Sequence, residues 1–388
     1  MLKIPVRERK AWKELAKDLG FHFHTIDGEA YWKEEAYYQF TLRQIEEDIE
    51  APTEELHEMC MEAVERVCRS DALLDKLCIP EFMWESVRSS WWNGQPQLYG
   101  RMDLAYDGKC KAKLLELNYD TPTSIYEAGF FQWVWLEQAM EQGLIPWQAD
   151  QFNSIQEKLI GAFAHIGQRL VTPEMHFSSI RDHVEDRATV EYLQDCAIQA
   201  GVDAPFVYIE DIGLREGERH FLDHEDKPIQ AIFKLYPWEE MTDDEFGSQV
   251  PKMDTHWFEP PWKTILSNKG ILPLLWEWNE GHPNLLPAHF DDDPRQSLQS
   301  GWVRKPFFSR EGSNIELVTP GGERESVAGP YTDSPHILQA YHPMPRFGEE
   351  HALIGSWVVG DRACGIGIRE DKGRITKDTS CFVPHIIL

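Results

Sequence analysis

The chain is short of positive charge. Against 66 Asp and Glu it has only 38 Lys and Arg, a formal charge of −28 over 388 residues. A field of that sign repels nucleic acid and anionic membrane, so neither is an expected partner. It favours cationic partners such as amines, although an acidic surface also serves simply to keep soluble proteins apart. Long apolar runs are missing too: no stretch of about 18 apolar residues occurs, which excludes a membrane-spanning helix. The first residues, MLKIPVRERKAWKELAK, lack a long apolar core and do not read as a signal peptide. Cysteine pairing is also absent. The seven cysteines (Cys60, Cys68, Cys78, Cys110, Cys196, Cys364 and Cys381) are odd in number, and none stands at C-x-x-C spacing. That argues against a disulfide framework or a zinc site and for a reducing, cytoplasmic setting. Finally, there is no G-x-x-x-x-G-K-[ST] loop and no G-x-G-x-x-G leading from strand to helix, so the P-loop and Rossmann classes lose weight.

What is present is ordinary globular composition, 42% hydrophobic and 27% charged, enough for two or three packed lobes without disulfides. The 15 Trp suit either a sugar-binding cleft or scattered core and edge positions.

Residues 1–90 read mainly as helix. Leu56, Met59, Cys60, Ala63, Val64 and Val67 recur at helical spacing, with Thr53 as N-cap. The pattern changes at 98–106 and 113–118, two strand-like runs with Asp107-Gly108 between them, a hairpin signal. Residues 126–144 and 150–170 return to helical periodicity. MHFSSI, then an amphipathic helix burying Val190, Leu193, Ala197 and Ile198 and ended by Gly201, then PFVYIEDI, form a strand–helix–strand order and predict a small α/β lobe around 173–212. The polar stretch 215–228 reads as a turn or hairpin on the surface. From 300 onward, short runs separated by Gly, Asp and Pro predict a mostly antiparallel sheet.

The hairpin carries the most chemistry. Side chains alternate along a strand, so Arg101 and Asp103 share one face, as do Glu116 and Asn118. A short connection sets these pairs nearly opposite one another. Two carboxylates and an amide oxygen suit Mg²⁺, and a guanidinium suits a phosphoryl oxygen. A half-solvated face with cross-strand charge pairs is the plain alternative. A glycosidase pair formed by Asp103 and Glu116 is another. Lys269, in SNKGILPLLW, and Lys305, in WVRKPF, stand in strand-like apolar surroundings, where a buried ammonium needs an anion; each also fits a snorkelling surface residue. Ser309-Arg310-Glu311-Gly312-Ser313-Asn314 is a turn whose N–H groups could cover a phosphate, or an ordinary hairpin turn.

Taken in order, YGRMDLAY, LLELNYDTPTSIYEAG, HFSSIRDHVEDRATVEYLQDCAIQAG, SNKGILPLLW, VRKPFFSREGSNIEL, ILQAYHPMP and GIGIRED resemble the synthetase portion of the glutathionylspermidine synthase family, from about residue 10 to the C-terminus. The resemblance implies an α+β protein with an ATP-grasp-like core of antiparallel sheets and an inserted small α/β lobe. It divides the chain into residues 1–170 (a helical region plus the metal-binding hairpin), 171–250 (a substrate lobe) and 251–388 (a nucleotide-binding region). It implies that ATP and Mg²⁺ are used to join a carboxylate to an amine through an acyl phosphate. By position, Asp103, Glu116 and Asn118 are the implied Mg²⁺ ligands. Arg101 and Arg369 are the implied stabilisers of transferring charge. Arg101, Met102, Asp103, Lys269, Lys305, Gly312, Gln339, Ala340, Tyr341, Arg374, Ile375 and Thr376 are the implied nucleotide contacts. A homodimer would suit the family.

The run after Asn118 departs from the family's Ser-rich stretch with Cys and His. It offers hydroxyls at Thr121 and Ser124, but Ile125 cannot replace an imidazole, so glutathione is not implied as the acid. With the first block near residue 10 there is no room for the amidase portion, and no amidase activity is implied. The expected partners are therefore a small-molecule acid and amine, the acid a peptide or amino acid carboxylate and the amine a polyamine or another amine. A carbohydrate-active hydrolase and a non-catalytic ATP-binding protein are the competing readings.

Overall fold

The computed structural model describes residues 1–26, 28–292, 298, 301–377 and 380–388. Residues 1–90 are mainly helical, as expected, with a short helix at Trp12–Asp18, but the region also holds a strand pair: β1 (Leu2–Pro5) pairs antiparallel with β2 (Ala36–Phe40). Tyr37, Tyr38 and Phe40 explain the difference, because aromatics favour a pleated, packed surface, and all three are buried. Helix resumes at Thr41, whose hydroxyl accepts from the Gln44 N–H while the Gln44 side chain caps Thr41. From there the helical run continues through a π turn, Glu46–Glu50, into α1 (Ala51–Cys68). Thr53 is thus inside the helix and not its N-cap; its hydroxyl donates to the Ile49 carbonyl at 2.7 Å. Leu56, Cys60, Ala63, Val64 and Val67 are buried, as their spacing predicts.

After α2 (Trp84–Trp92), the predicted hairpin forms from β3 (Tyr99–Ala105) and β4 (Lys113–Asn118), with Arg101 opposite Asn118 and Asp103 opposite Glu116. Gly108 turns the connection at φ +82°. Helices α3 (Gln132–Glu141) and α4 (Ile155–Gly167) follow. The small lobe is a parallel sheet of β5 (His176–Ser179), β6 (Ala231–Leu235) and β7 (His256–Phe258), with helix α5 (Val184–Gln199) between its first two strands. PFVYIEDI is not a strand of this sheet: it touches β5 in a single bridge at Phe206 and then turns through Ile209–Asp211. The central place goes to β6, every residue of which is buried, as a strand covered on both faces requires. On α5, Val190, Leu193, Cys196 and Ala197 are buried, but Ile198 is 59% exposed, about 100° round the helix from Ala197.

Beyond α6 (Trp238–Asp243) and α7 (Ile271–Trp278), an antiparallel sheet is built from β8 (Ala288–Phe290), β9 (Trp302–Pro306), β10 (Glu316–Val318), β11 (Arg324–Ser326) and β12 (His336–Ala340), in the order β8-β12-β9-β10-β11. Strands β13 (Glu350–Val359), β14 (Arg362–Asp371) and β15 (Cys381–Val383) then return to the first hairpin in the antiparallel order β15-β14-β13-β3-β4. The last strand, β16 (His385–Ile387), runs parallel to β2.

This central sheet positions the cleft. Met102 and Leu104 on β3 pack into one hydrophobic core with α1 and α7, and Tyr99 on the other face packs into a second core with Trp357 and Ile155. Arg101 and Asp103 are left on that second face, beyond the edge of its core. No helix among the described residues is long and apolar enough to cross a membrane.

Candidate active site

A cleft of about 320 Å³ lies between the central sheet, the small lobe and the β8–β12 sheet. Strand alternation brings Arg101, Asp103, Glu116 and Asn118 to its floor together. Arg101 grips Asp103 with a two-point fork, Nε to Oδ1 at 2.6 Å and Nη2 to Oδ2 at 3.2 Å, and its Nη1 donates to the Thr123 carbonyl at 2.9 Å. Arg369, delivered by β14, reaches Asp103 Oδ2 at 3.5 Å. Asn118 Nδ2 lies 3.3 Å from Asp103 Oδ2 and 3.4 Å from Glu116 Oε1. Lys269 stands 3.5 Å from Glu116 Oε2 and donates to the Ser309 carbonyl at 2.5 Å. It sits between helical segment Thr264–Ser267 and α7, not in a strand. A Pro-containing run of large apolar residues looks alike in either conformation, and its length and packing decide it as helix. Lys305, on β9, donates to the Leu115 carbonyl at 2.8 Å and to Gln339 Oε1 at 2.9 Å.

The charges set one another. Burial works against ionised Glu116, but Lys269, Lys305 and Arg101 outweigh it and hold the carboxyl at about 2. Burial, aided by the like charge of Lys269 and opposed by Glu116, brings the Lys305 ammonium down to about 8. Behind the arginines, burial pushes Glu127 up to about 6 although it accepts a hydrogen bond from Tyr31 at 2.7 Å.

Gly312 has φ +71°, and a Cβ there would stand 2.6 Å from Ile375 Cγ2 and from the Thr376 carbonyl. Glycine therefore lets the 309–314 loop lie directly on Ile375 and Thr376. Arg374, Ile375, Thr376, Gln339, Ala340 and Tyr341 line the same end of the cleft, and Thr121 lines the other. Two residues singled out from the sequence are not brought in. Met102 points into the core on the opposite face of β3, as alternation demands, and Ser124, buried at φ +76°, is not among the lining residues. Ile125 is fully buried in the second core.

Sequence reasoning missed a second wall. Asp120, Asp186, Glu239 and Glu240 face the cleft opposite the cationic floor. Asp120 accepts from Lys234 Nζ at 2.8 Å and from the Trp238 N–H at 2.8 Å, which ties the strand end after Asn118 to the small lobe. Arg310, from the glycine loop, pairs with Glu239 at 2.6 Å and Glu240 at 3.2 Å. Glu239 Oε2 is buried and has no hydrogen-bond partner among the described residues. Gly355 was missed as well: it stands opposite Asp103 on β13, and a Cβ there would come within 2.8 Å of Arg101 Cδ. The Glu-Glu pair and a glycine within an apolar strand carry no distinguishing signal in sequence; only the sheet register gives them a role.

No group of three His, Cys, Asp or Glu residues converges among the described residues. A metal held by protein side chains alone does not fit. One held by Asp103 and Glu116, with Asn118 turned to present Oδ1 and the remaining ligands supplied by phosphate and water, does.

Residues 3–388 match a family model described as glutathionylspermidine synthase preATP-grasp. The chain is 38% identical over 382 residues to a "Putative acid--amine ligase" of Haemophilus influenzae, an alignment covering 95% of this chain and 94% of that protein. It is 29% identical over 354 residues to trypanothione synthetase of Crithidia fasciculata, covering 84% of this chain and 53% of that one. It is 27% identical over 386 residues to the bifunctional glutathionylspermidine synthetase/amidase of Escherichia coli, covering 92% and 60%. The chain thus spans only part of the length of these two larger relatives. In fold it is similar to a glutathione synthetase-like effector from Globodera pallida, with a TM-score of 0.57 at 9% identity, covering 91% of this chain and 89% of that one.

Proposed function

The chain belongs to the glutathionylspermidine synthase preATP-grasp family, whose members are ATP-dependent amide-bond-forming ligases, and on that premise we propose that it joins a peptide or amino acid carboxylate to an amine, a polyamine being the favoured class, with release of ADP and phosphate. The observation that carries this is the register of β3 and β4, which sets Asp103 against Glu116 and Arg101 against Asn118, with Lys269, Lys305 and Arg369 around them.

In this reading Asp103, Glu116 and Asn118 hold Mg²⁺, which when bound neutralises phosphate charge. Lys269 and Lys305 sit beside the phosphates, and Gln339, Ala340 and Tyr341 face the base. Arg101 and Arg369 hold the carboxylate against the γ-phosphoryl group and stabilise charge as that group transfers, which needs positioned cations more than covalent help. The acyl phosphate so formed is lost if water enters, and the 309–314 loop lying on Ile375 and Thr376 shields it. The buried Glu239 Oε2, which has no hydrogen-bond partner among the described residues, and the half-buried Asp186, 3.2 Å from His183 Nδ1, receive the amine, since carboxylate oxygens favour ammonium donors.

The hydrolase reading is disfavoured. One of its two carboxyls must stay protonated to act as an acid, yet Glu116 is held near 2 beside three cations. A matrix of acids and amines, followed by ADP release, tests the ligase reading. Turnover should require an acid, an amine and Mg²⁺ together, vanish with EDTA, and fall at least about a hundredfold in Asp103→Asn. Sugar release without ATP would overturn the ligase reading.

A further inference from the structure

A second groove, about 1090 Å³ in volume and sharing no lining residue with the cleft, runs between α1, α4 and the turn joining β13 to β14. On α1, Glu54, Glu58 and Glu62 line it at four-residue spacing, so they rise along one face about 6 Å apart. Glu54 is paired with Arg362 at 3.3 Å, and Glu62 lies 3.9 Å from Arg66; Glu58 has no ion pair among the described residues. The indoles of Trp91 and Trp262, edge to face at 5.3 Å, form an aromatic wall.

The floor is polar, with buried His57 and Gln97 beneath an exposed Asp361. Asp361 Oδ1 accepts from His57 Nε2 at 3.1 Å and from the Gln97 amide, while the Asp361 side chain stays 70% exposed. Gln97 is only 7% exposed, and its Oε1 is buried with no hydrogen-bond partner among the described residues. A buried amide oxygen facing no donor is an acceptor awaiting one. His57 Nδ1 lies 2.9 Å from the hydroxyl of Tyr119, the residue after Asn118, so the floor abuts the cleft. The lining also includes Lys158, Arg169 and Arg362. Arg362 is taken up by Glu54, and Arg169 donates to the Gly94 carbonyl at 2.8 Å, so the carboxylates prevail.

We propose that this groove is a second binding site, for a linear aliphatic polyamine. Ammonium groups spaced along a flexible chain match the ladder of glutamates, Asp361 and Gln97 Oε1, and the methylenes and cations between them suit indole faces. An anionic or purely apolar ligand would leave these groups unpaired. The inference rests on the groove's own residues and shares only a chemical class with the amine proposed for the cleft.

Isothermal titration with spermidine at fixed ionic strength tests it on three full-length proteins: wild type, Glu58→Gln with Glu62→Gln, and Asp186→Asn with Glu239→Gln. Wild type should take up two equivalents. The Glu58/Glu62 variant should lose one, or bind it roughly tenfold more weakly, and keep the other. An isotherm unchanged by the Glu58/Glu62 substitutions would overturn the proposal, as would full displacement by Mg²⁺ at equal concentration, which marks diffuse counterion binding. Loss in the Asp186/Glu239 variant alone would place the only site in the cleft and retire the groove. Loss in the Glu58/Glu62 variant alone would establish the groove and retire the amine role of Asp186 and Glu239.

Discussion

Lys305 is 6% exposed, with Glu116, Lys269 and Asp103 as its charged surroundings. An ammonium so placed titrates near 8, charged below that value and neutral above it. If it meets phosphate oxygens, kcat/KM for ATP, which reports the free enzyme, should fall as pH rises through about 8. Lys305→Arg, always charged, should flatten that limb, and Lys305→Ala should cost on the order of 10²-fold or more below about 8, with the gap to wild type narrowing above it. An unaltered alkaline limb in Lys305→Arg would remove Lys305 from this role. The sequence pointed to this lysine because a charge in an apolar strand needs a partner. It did not reveal that the partners would be a carbonyl, an amide and a nearby carboxylate, because those arrive from β4 and β12. Met102 shows the opposite case: a motif names consecutive residues, whereas a strand turns every second one away from the cleft.

At the scale of elements, the β3–β4 hairpin was legible because period-two alternation and Asp-Gly are local signals. The long strands β13 and β14 that complete the sheet were legible as strands but not as neighbours of β3. That neighbourhood gives Gly355 its function: without a side chain there, Arg101 lies flat across β13 toward Asp103. Gly355→Ala should push Arg101 off its fork and lower kcat by roughly 10–100-fold, since displacements near 1 Å cost that much, with little change in melting temperature. Steady-state kinetics beside a thermal melt checks this; a parallel loss of both would mean that the strand itself had been disrupted. Helix capping erred in a related way. Thr53 looks like an N-cap from its own neighbours, but the Thr41–Gln44 box upstream had already started the helix.

For the whole molecule, stability is tied to groups far from the cleft. His385 on β16 is fully buried, with Nδ1 3.0 Å from Gln132 Oε1 and Nε2 accepting from the Phe152 N–H at 3.2 Å. Burial lowers its pKa to about 3, so the unfolded chain binds the proton first. This contribution to stability is complete above about 6.5 and is lost progressively as pH falls toward 3, amounting to roughly 2 kcal/mol by pH 5. Urea unfolding at pH 7.5 and 5 should show that loss, and His385→Gln should reduce it; equal losses in the two proteins would exclude His385 as the source. The enzyme is a ligase of the ATP-dependent amide-forming family, and its sequence alone determined much of that: the α+β character, the strands with their alternating polar pairs, and the ordered blocks that mark the family. These are local or collinear properties, written in periodicity and order. Tertiary structure alone decided which strands became neighbours, which lysines reached Glu116, that β6 rather than PFVYIEDI took the centre of the small sheet, and that an acidic wall faces the cationic floor. Those depend on contacts between residues far apart in the chain, such as His176 with Ile232, Asp120 with Lys234 and Lys305 with the Leu115 carbonyl, and no local pattern encodes a distance across the fold.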